Sequence, residues 1–155
     1  MTVAEKLVEL LKAQGLTCAT AESCTGGGVG SAITAVPGSS AVFAGGVISY
    51  ANEVKRDVLG VSEQDLQTVG AVSPEVAAQM AAGARRLLKT NLAISLTGIA
   101  GPDGGTDEKP VGLVWFGLAT KDGTRTEKCI FRGDRAKVRE QAVIHALGML
   151  TIAAT

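Results

Sequence analysis

Short apolar segments alternate with helical segments along the chain, and this alternation constrains its fold more than any other feature. Residues 17–21, 47–50 and 92–96 predict strands, because each segment is short and apolar, and Gly45 and Gly46 are expected to precede the second strand. Helical patterns lie between these strands, and strands that are connected by helices pair in parallel. The sequence therefore predicts an α/β fold, a three-layer α/β/α sandwich with a mixed, mostly parallel sheet.

The ends of the helices and the antiparallel part of the sheet also have local signals. Thr2, Ser73 and Asp134 are capping residues at the start of helical patterns. Residues 114–119 and 124–131 predict a hairpin that turns at an Asp-Gly pair. The second strand of this hairpin is rich in charge, which is typical of an exposed edge strand.

The length and the charge balance limit the class of protein. A chain of 155 residues is the usual size of one domain, which we expect to comprise residues 1–155. Lys plus Arg and Asp plus Glu both number 15, whereas binding to duplex DNA or to an anionic membrane normally requires a basic excess. The first residues lack the features of a signal peptide, and no apolar run approaches the roughly 20 residues that span a bilayer. We therefore expect a cytoplasmic protein with neither nucleic acid nor membrane as its partner.

The cysteines and the single histidine do not predict a metal or cofactor site. Cys18, Cys24 and Cys129 show no zinc-binding spacing, and an odd number without an export signal indicates free thiols in a reducing compartment. His145 is expected at the surface or at the edge of the core. No metal and no cofactor are predicted.

Two glycine-rich loops, residues 22–27 and 97–106, each follow a predicted strand. Ligands bind beyond the carboxyl ends of the strands in open α/β sheets, and glycines there let the backbone approach an anion. A small phosphate-bearing substrate is therefore predicted between the loops; the alternative is that these glycines only form tight turns. The predicted substrate-binding residues are Glu22, Thr25, Gly26, Gly27, Gly98, Ala100, Gly101 and Arg135.

Ser23 is the candidate nucleophile, because it lies where a strand passes into a helix and its hydroxyl can project into the site. Its alternative role is to cap that helix. Cys24 is a rival nucleophile, although a cysteine beside a strand is more often a small buried hydrophobe. Lys55 is the best-placed base, because partial burial helps a lysine to lose its proton; the alternative is a solvated helix residue. Tyr50, at the end of the second strand, can relay a proton or orient the base.

Three other residues are candidates for supporting roles. Glu22 can orient a water or bind a ligand hydroxyl, or it can form a salt bridge or cap a neighbouring turn. Thr97, with the backbone of Gly98 and Gly101, can form an oxyanion hole. Arg135 lies in the first turn of a helix, where a cation opposes the helix dipole, and a bound phosphate would offset that cost, although the aspartate before it can do so as well.

Several motifs of the chain recur, in the same order, in one known family. On these motifs the chain resembles the CinA C-terminal domain family, whose stand-alone members include nicotinamide-nucleotide amidohydrolases, and the resemblance covers nearly the whole chain. Many members carry a further N-terminal domain that is linked to a pyrophosphatase activity, which is not expected here. The motifs are AESCTGG at 21–27, Tyr50-x-Asn52-x-x-Lys55, LGV at 59–61, GAVS at 70–73, TGIAGPDGGT at 97–106 and KPVG at 109–112.

The resemblance implies deamidation of nicotinamide mononucleotide (NMN) to nicotinate mononucleotide and ammonia, without metal or cofactor, in the pyridine-nucleotide recycling that feeds NAD biosynthesis. It implies a serine nucleophile, Ser23, supported by Lys55 and Tyr50, with Thr97 in the second pocket loop and Arg135 near the substrate. It also implies a homo-oligomer. Three questions stay open. The first is whether Ser23 attacks the amide or positions a water, and the second is whether the substrate is a different small amide. The third is whether the chain is instead a non-catalytic nucleotide-binding or regulatory module linked to competence or DNA damage.

Overall fold

The computed structural model describes all residues from Met1 to Thr155. The chain forms six α-helices and five strands, with one short 3-10 helix at Ser39–Ala41. The elements are α1 (Val3–Gln14), β1 (Cys18–Glu22), α2 (Gly28–Thr34), β2 (Phe43–Ile48), α3 (Asn52–Leu59), α4 (Glu63–Thr68), α5 (Pro74–Leu88), β3 (Leu92–Gly98), β4 (Leu113–Thr120), β5 (Gly123–Ile130) and α6 (Arg135–Ala153).

The five strands form one open, mixed sheet in the order β2-β1-β3-β4-β5. Strand β1 pairs in parallel with β2 and with β3. Strand β4 pairs antiparallel with β3 on one side and with β5 on the other. The predicted sandwich and its terminal hairpin are therefore confirmed. The predicted caps are also found: Thr2, Ser73 and Asp134 each accept a hydrogen bond in the first turn of their helix.

The second strand was misplaced by sequence reasoning. It spans Phe43–Ile48, so Gly45 and Gly46 lie inside it and Tyr50 lies beyond its end. The reason is a close approach between neighbouring strands: a Cβ at Gly46 would collide with the hydroxyl of Thr20 on β1. Glycine in this strand is therefore a packing requirement and does not mark a turn.

The two faces of the sheet carry side chains of different size. On β3, the large side chains of Leu92, Ile94 and Leu96 belong to the core cluster shared with α1, α2 and α6. The other face presents small residues such as Ala93, and it belongs to the cluster shared with α5. Small residues on this face allow α5 to lie close to the sheet, where Ser95 Oγ donates to the carbonyl of Ala77 at 2.5 Å.

We expect Gly117→Ala to destabilise the fold by about 2 kcal/mol, because overpacking a close contact forces the backbone to move. Gly117 lies on β4 under α5, and a Cβ there would collide with the carbonyl oxygen of Ala77. Urea denaturation measures the change. Gly148→Ala is the matched control: Gly148 lies in α6 with nothing within 4 Å of an added Cβ, so a gain of about 0.5–1 kcal/mol is expected from helix propensity. Equal effects of both substitutions would contradict the close approach of α5.

The strand order brings the two predicted loops together. Strands β1, β2 and β3 are parallel, so their carboxyl ends lie at one edge of the sheet. The order 2-1-3-4-5 reverses direction between β1 and β3, and this switch point is where open α/β sheets bind ligands. Loop 22–27 follows β1 and loop 97–106 follows β3, so both loops flank this point. No helix of the chain is long and apolar enough to cross a membrane.

Candidate active site

Ser23 is fixed at the carboxyl end of β1 by the backbone of the sheet. Its amide donates to the carbonyl of Leu96 on β3 at 3.0 Å, and the carbonyl of Glu22 accepts from the amide of Ser49 at 2.8 Å. The serine side chain is almost buried, with 8% of its surface exposed. Strands on both sides therefore hold the backbone that carries the hydroxyl.

Lys55 is buried against Ser23, although sequence alone also allowed a solvated position. It lies four residues before Leu59, so both side chains occupy the buried face of α3. Only 1% of the lysine is exposed. Its Nζ lies 3.1 Å from Ser23 Oγ and donates to the backbone carbonyl of Tyr50 at 3.0 Å.

The surroundings of Lys55 favour its neutral form. Burial lowers the pKa of the Lys55 ammonium, and the nearby Cys24 opposes this only in part. No carboxylate forms an ion pair with this lysine. A neutral amine beside a serine hydroxyl is the arrangement that a general base requires.

The backbone of Tyr50 binds Lys55, whereas its side chain contacts Arg135. Its carbonyl orients Lys55 Nζ, whereas the side chain is 64% exposed. The phenol oxygen accepts from Arg135 Nη2 at 3.5 Å and has no hydrogen bond with Ser23 or Lys55. The structure therefore places the tyrosine hydroxyl at the rim of the site and not in a proton relay.

Glu22 and Thr25 form the framework of the first loop. The carboxylate of Glu22 is 1% exposed and accepts three hydrogen bonds, from Thr25 Oγ1 at 2.5 Å, the Val29 amide at 2.9 Å and the Gly30 amide at 3.0 Å. The carboxylate thus caps the first turn of α2 by accepting hydrogen bonds from its free amides. Of the roles considered for Glu22, the structure shows the capping one.

The glycines of the first loop allow its tight turn. Gly26 and Gly27 have φ values of 59° and 102°, a region that other residues rarely adopt. Gly27 is the residue that precedes α2. These two glycines, three and four residues after Ser23, connect β1 to α2 through a tight turn.

The second loop follows β3, the strand that pairs with β1, and its residues have different roles. Thr97 is 1% exposed and its hydroxyl donates to the carbonyl of Ala71 at 2.9 Å, so its proton is already committed. Ala100 is buried, and a Cβ at Gly98 would lie 2.7 Å from the carbonyl of Leu113. The carbonyl of Gly101 accepts from Arg135 Nη1 at 2.9 Å. Arg135 therefore connects the second loop to Tyr50.

Backbone amides in the two loops are free to donate hydrogen bonds to a ligand. The amides of Thr25, Ala100 and Gly101 have no acceptor within the chain. All three lie in the loops that flank Ser23, at the switch point of the sheet. Such amides can bind a developing oxyanion.

Arg139 was missed by sequence reasoning. Its Nε donates to the carbonyl of Cys24 at 3.1 Å and its Nη2 to the carbonyl of Thr25 at 3.3 Å. It follows Arg135 by four residues, so both arginines face the loops from one side of α6. That spacing is the one signal in the sequence that points to Arg139.

The structure argues against Cys24 as the nucleophile. Its side chain is buried, and burial raises the pKa of the Cys24 thiol to about 11. Cysteine reacts as the thiolate, which is scarce near neutral pH at such a pKa. Ser23 therefore stays the predicted nucleophile.

Comparisons with known proteins agree on one family. A family model described as the CinA C-terminal domain matches residues 1–153. A putative competence-damage inducible protein of Halothermothrix orenii is 57% identical over 136 residues, which are 87% of this chain but 33% of that relative. The nicotinamide-nucleotide amidohydrolase PncC of Escherichia coli K12 is 49% identical over 151 residues, which are 97% of this chain and 92% of that protein.

Solved structures show the same fold. The competence/damage inducible protein CihA from Agrobacterium tumefaciens superposes with a TM-score of 0.94 at 43% sequence identity, covering 98% of this chain and 93% of that one. A CinA superfamily protein from Klebsiella pneumoniae has a TM-score of 0.94 at 35% identity, covering 98% and 95%. Relatives of about this length and much longer relatives therefore share the domain.

Proposed function

The chain belongs to the CinA C-terminal domain family, and on that premise we propose that it hydrolyses the carboxamide of NMN to give nicotinate mononucleotide and ammonia. One observation carries the proposal: the Nζ of the buried Lys55 lies 3.1 Å from Ser23 Oγ. The alignment with the Escherichia coli amidohydrolase over 97% of this chain supports the choice of substrate.

In the first half of the reaction, neutral Lys55 takes the proton of Ser23 while Ser23 Oγ bonds to the carboxamide carbon. The carbonyl π electrons move to oxygen, and loop amides such as those of Thr25 and Gly101 stabilise this oxyanion. The oxyanion collapses and the C–N bond breaks. The Lys55 ammonium returns its proton to the leaving nitrogen, so ammonia departs and an acyl ester remains on Ser23.

In the second half, the ester is hydrolysed by the same groups. Lys55 takes a proton from a water, whose oxygen bonds to the ester carbon. Collapse of the second oxyanion breaks the ester C–O bond and releases nicotinate mononucleotide, and the Lys55 ammonium returns its proton to Ser23 Oγ. The chain thus supplies both the nucleophile and the base, so the proposed chemistry needs no metal ion.

The phosphate of the substrate is assigned to the side where Arg135 lies. Arg135 is exposed and already contacts both Tyr50 and the second loop. A planar guanidinium retains free N–H groups after these contacts and binds phosphate well. This position leaves the carboxamide end of the substrate for Ser23.

Arg135→Gln is expected to raise KM for NMN by about ten- to a hundredfold, because a hydrogen bond to a charged group contributes roughly 1.5–3 kcal/mol. The value of kcat should change much less. Steady-state ammonia release measures both constants. Arg132→Gln is the matched control, since Arg132 is an exposed arginine just before α6 whose side chain makes no hydrogen bond in the chain. Equal effects of the two substitutions would assign the phosphate elsewhere.

The test of the proposed function is ammonia release from NMN by the purified protein in excess chelator, beside Ser23→Ala. We expect release by the wild type, none above background by a folded Ser23→Ala variant, and much weaker activity on nicotinamide riboside, which lacks the phosphate. Trapping with hydroxylamine should yield the hydroxamate if the acyl ester forms. A folded wild type that binds NMN and releases no ammonia would refute the proposal and favour a binding module.

A further inference from the structure

A second group of reactive side chains lies between β5 and α6 and takes no part in the proposed reaction. Glu127 and Cys129 are two residues apart on β5, so their side chains point to the same face of the sheet. His145 on α6 faces them: its Nε2 lies 3.0 Å from Glu127 Oε1 and 3.5 Å from Cys129 Sγ. The three ligand atoms all lie within 4.8 Å of one another.

We propose that Glu127, Cys129 and His145 form a binding site for a divalent transition-metal ion, with zinc as the ion that these ligands fit best. Thiolate, imidazole and carboxylate are the three side-chain ligands that zinc takes in proteins. Glu127 and Cys129 are two residues apart, and His145 follows Cys129 by 16 residues on a different element, so no zinc-binding spacing marks the three residues.

Two of the three separations between the ligand atoms are close to those of a tetrahedral site. Zinc binds sulfur at about 2.3 Å and nitrogen or oxygen at about 2.0 Å, so tetrahedral ligands lie about 3.5 Å (S to N) and about 3.3 Å (N to O) apart. The observed separations from His145 Nε2 are 3.5 Å to sulfur and 3.0 Å to oxygen. Cys129 Sγ also lies 3.8 Å from His145 Nδ1, beside the imidazole ring, so the thiol must rotate about its side-chain bonds before it and Nε2 can bind one ion.

The ring of His145 is held in position by its neighbours. It packs against Phe116 with ring centroids 4.6 Å apart and against the edge of Phe131 at 6.1 Å. Fixed ligands on a strand and a helix bind a metal with little loss of entropy. The side chains of His145 and Glu127 are 29% and 38% exposed, so a water can reach the site as a fourth ligand.

The proposed site binds its metal ion independently of the reaction at Ser23, because none of its three residues forms a hydrogen bond with the two loops at 22–27 and 97–106. An ion here would join the edge strand β5 to α6, with ligands from both elements. The expected consequence is a metal-dependent rise in thermal stability, while ammonia release persists in chelator. Failure of this proposal and failure of the proposed function are thus separately observable.

The test is metal binding to the chelator-stripped full chain, read out by the reactivity of its thiols. Cys129 is the partly exposed cysteine, whereas Cys18 and Cys24 are buried. Burial raises the pKa of all three thiols, to about 12 for Cys18 and about 11 for Cys24. One thiol per chain should react with a disulfide reagent, and one equivalent of Zn²⁺ should protect it. Addition of Co²⁺ should give thiolate-to-cobalt charge-transfer absorption.

Substitutions of the ligands separate this site from adventitious binding. Cys129→Ser should abolish the charge-transfer band, and His145→Phe, which keeps an aromatic ring, should weaken Zn²⁺ binding by at least about a hundredfold, since even outer-shell partners contribute 10–100-fold. Asp122→Asn, on the exposed turn of the same hairpin, is the control and should bind normally. The proposal is overturned if Zn²⁺ leaves the thiol of the folded wild type unprotected, or if binding to His145→Phe and to Asp122→Asn is equal.

Discussion

Replacing Lys55 with methionine is expected to lower kcat for ammonia release by about a thousandfold, as expected for loss of a general base. Methionine has nearly the same length and is apolar, so it can fill the buried space of a lysine that is 1% exposed. It cannot accept the proton of Ser23, whose Oγ lies 3.1 Å from Lys55 Nζ. Steady-state kinetics with NMN measure the loss, and circular dichroism reports whether the variant is folded.

Two further variants show whether Ser23 and Lys55 act as a unit. Lys55→Arg keeps the positive charge and cannot lose its proton near neutral pH, so it should be as inactive as Lys55→Met. The double variant with Ser23→Ala should be no worse than Ser23→Ala alone, because residues that act in one step are not additive. Additive losses would show that the lysine acts through something other than the serine.

The lowered pKa of Lys55 also fixes the sign of two pH dependences. The base must be neutral, so kcat/KM should rise with pH through a single ionisation that lies below the ordinary lysine pKa of 10.5. Between that lowered pKa and 10.5 the unfolded chain binds more protons than the folded one, so stability should rise with pH across this window. At neutral pH the folded chain bears the cost of burying this group, and Lys55→Met should therefore be at least as stable as the wild type.

The sequence was most informative where local chemistry decides structure. Capping residues such as Ser73 located helix starts, and the order of helices and strands indicated the parallel sheet. Ligands bind at the carboxyl ends of the strands in open α/β sheets, and this rule predicted that Ser23 and the second loop lie at the same edge of the sheet. Strand β2 was misplaced because Gly46 is needed for its close contact with Thr20 on β1. This contact exists only once the two strands pair, so the local sequence does not reveal it.

Tertiary contacts account for what the sequence could not show. Whether Lys55 is solvated or buried depends on how α3 packs, which its own eight residues do not determine. Arg139 reaches the carbonyl of Cys24 across 115 residues of sequence. Glu22 looked as suitable for a ligand hydroxyl as for a cap, and only the path of the chain into α2 decides between these roles.

Glu22→Ala is expected to destabilise the fold by about 4 kcal/mol, a large share of the stability of an ordinary domain. The substitution leaves the amides of Val29 and Gly30 and the hydroxyl of Thr25 without their acceptor. Each buried donor that loses its partner costs about 1–3 kcal/mol. Urea denaturation should show a lower midpoint with an unchanged slope.

Two control variants separate capping by Glu22 from ligand binding. Glu22→Gln keeps one acceptor oxygen and the side-chain length, so it should lose about half as much stability as Glu22→Ala. Glu9→Ala, at an exposed position on α1, should change stability by less than about 0.5 kcal/mol. If instead Glu22→Gln leaves the unfolding midpoint unchanged and raises KM for NMN, the carboxylate binds the substrate and the first loop must open to release it from α2.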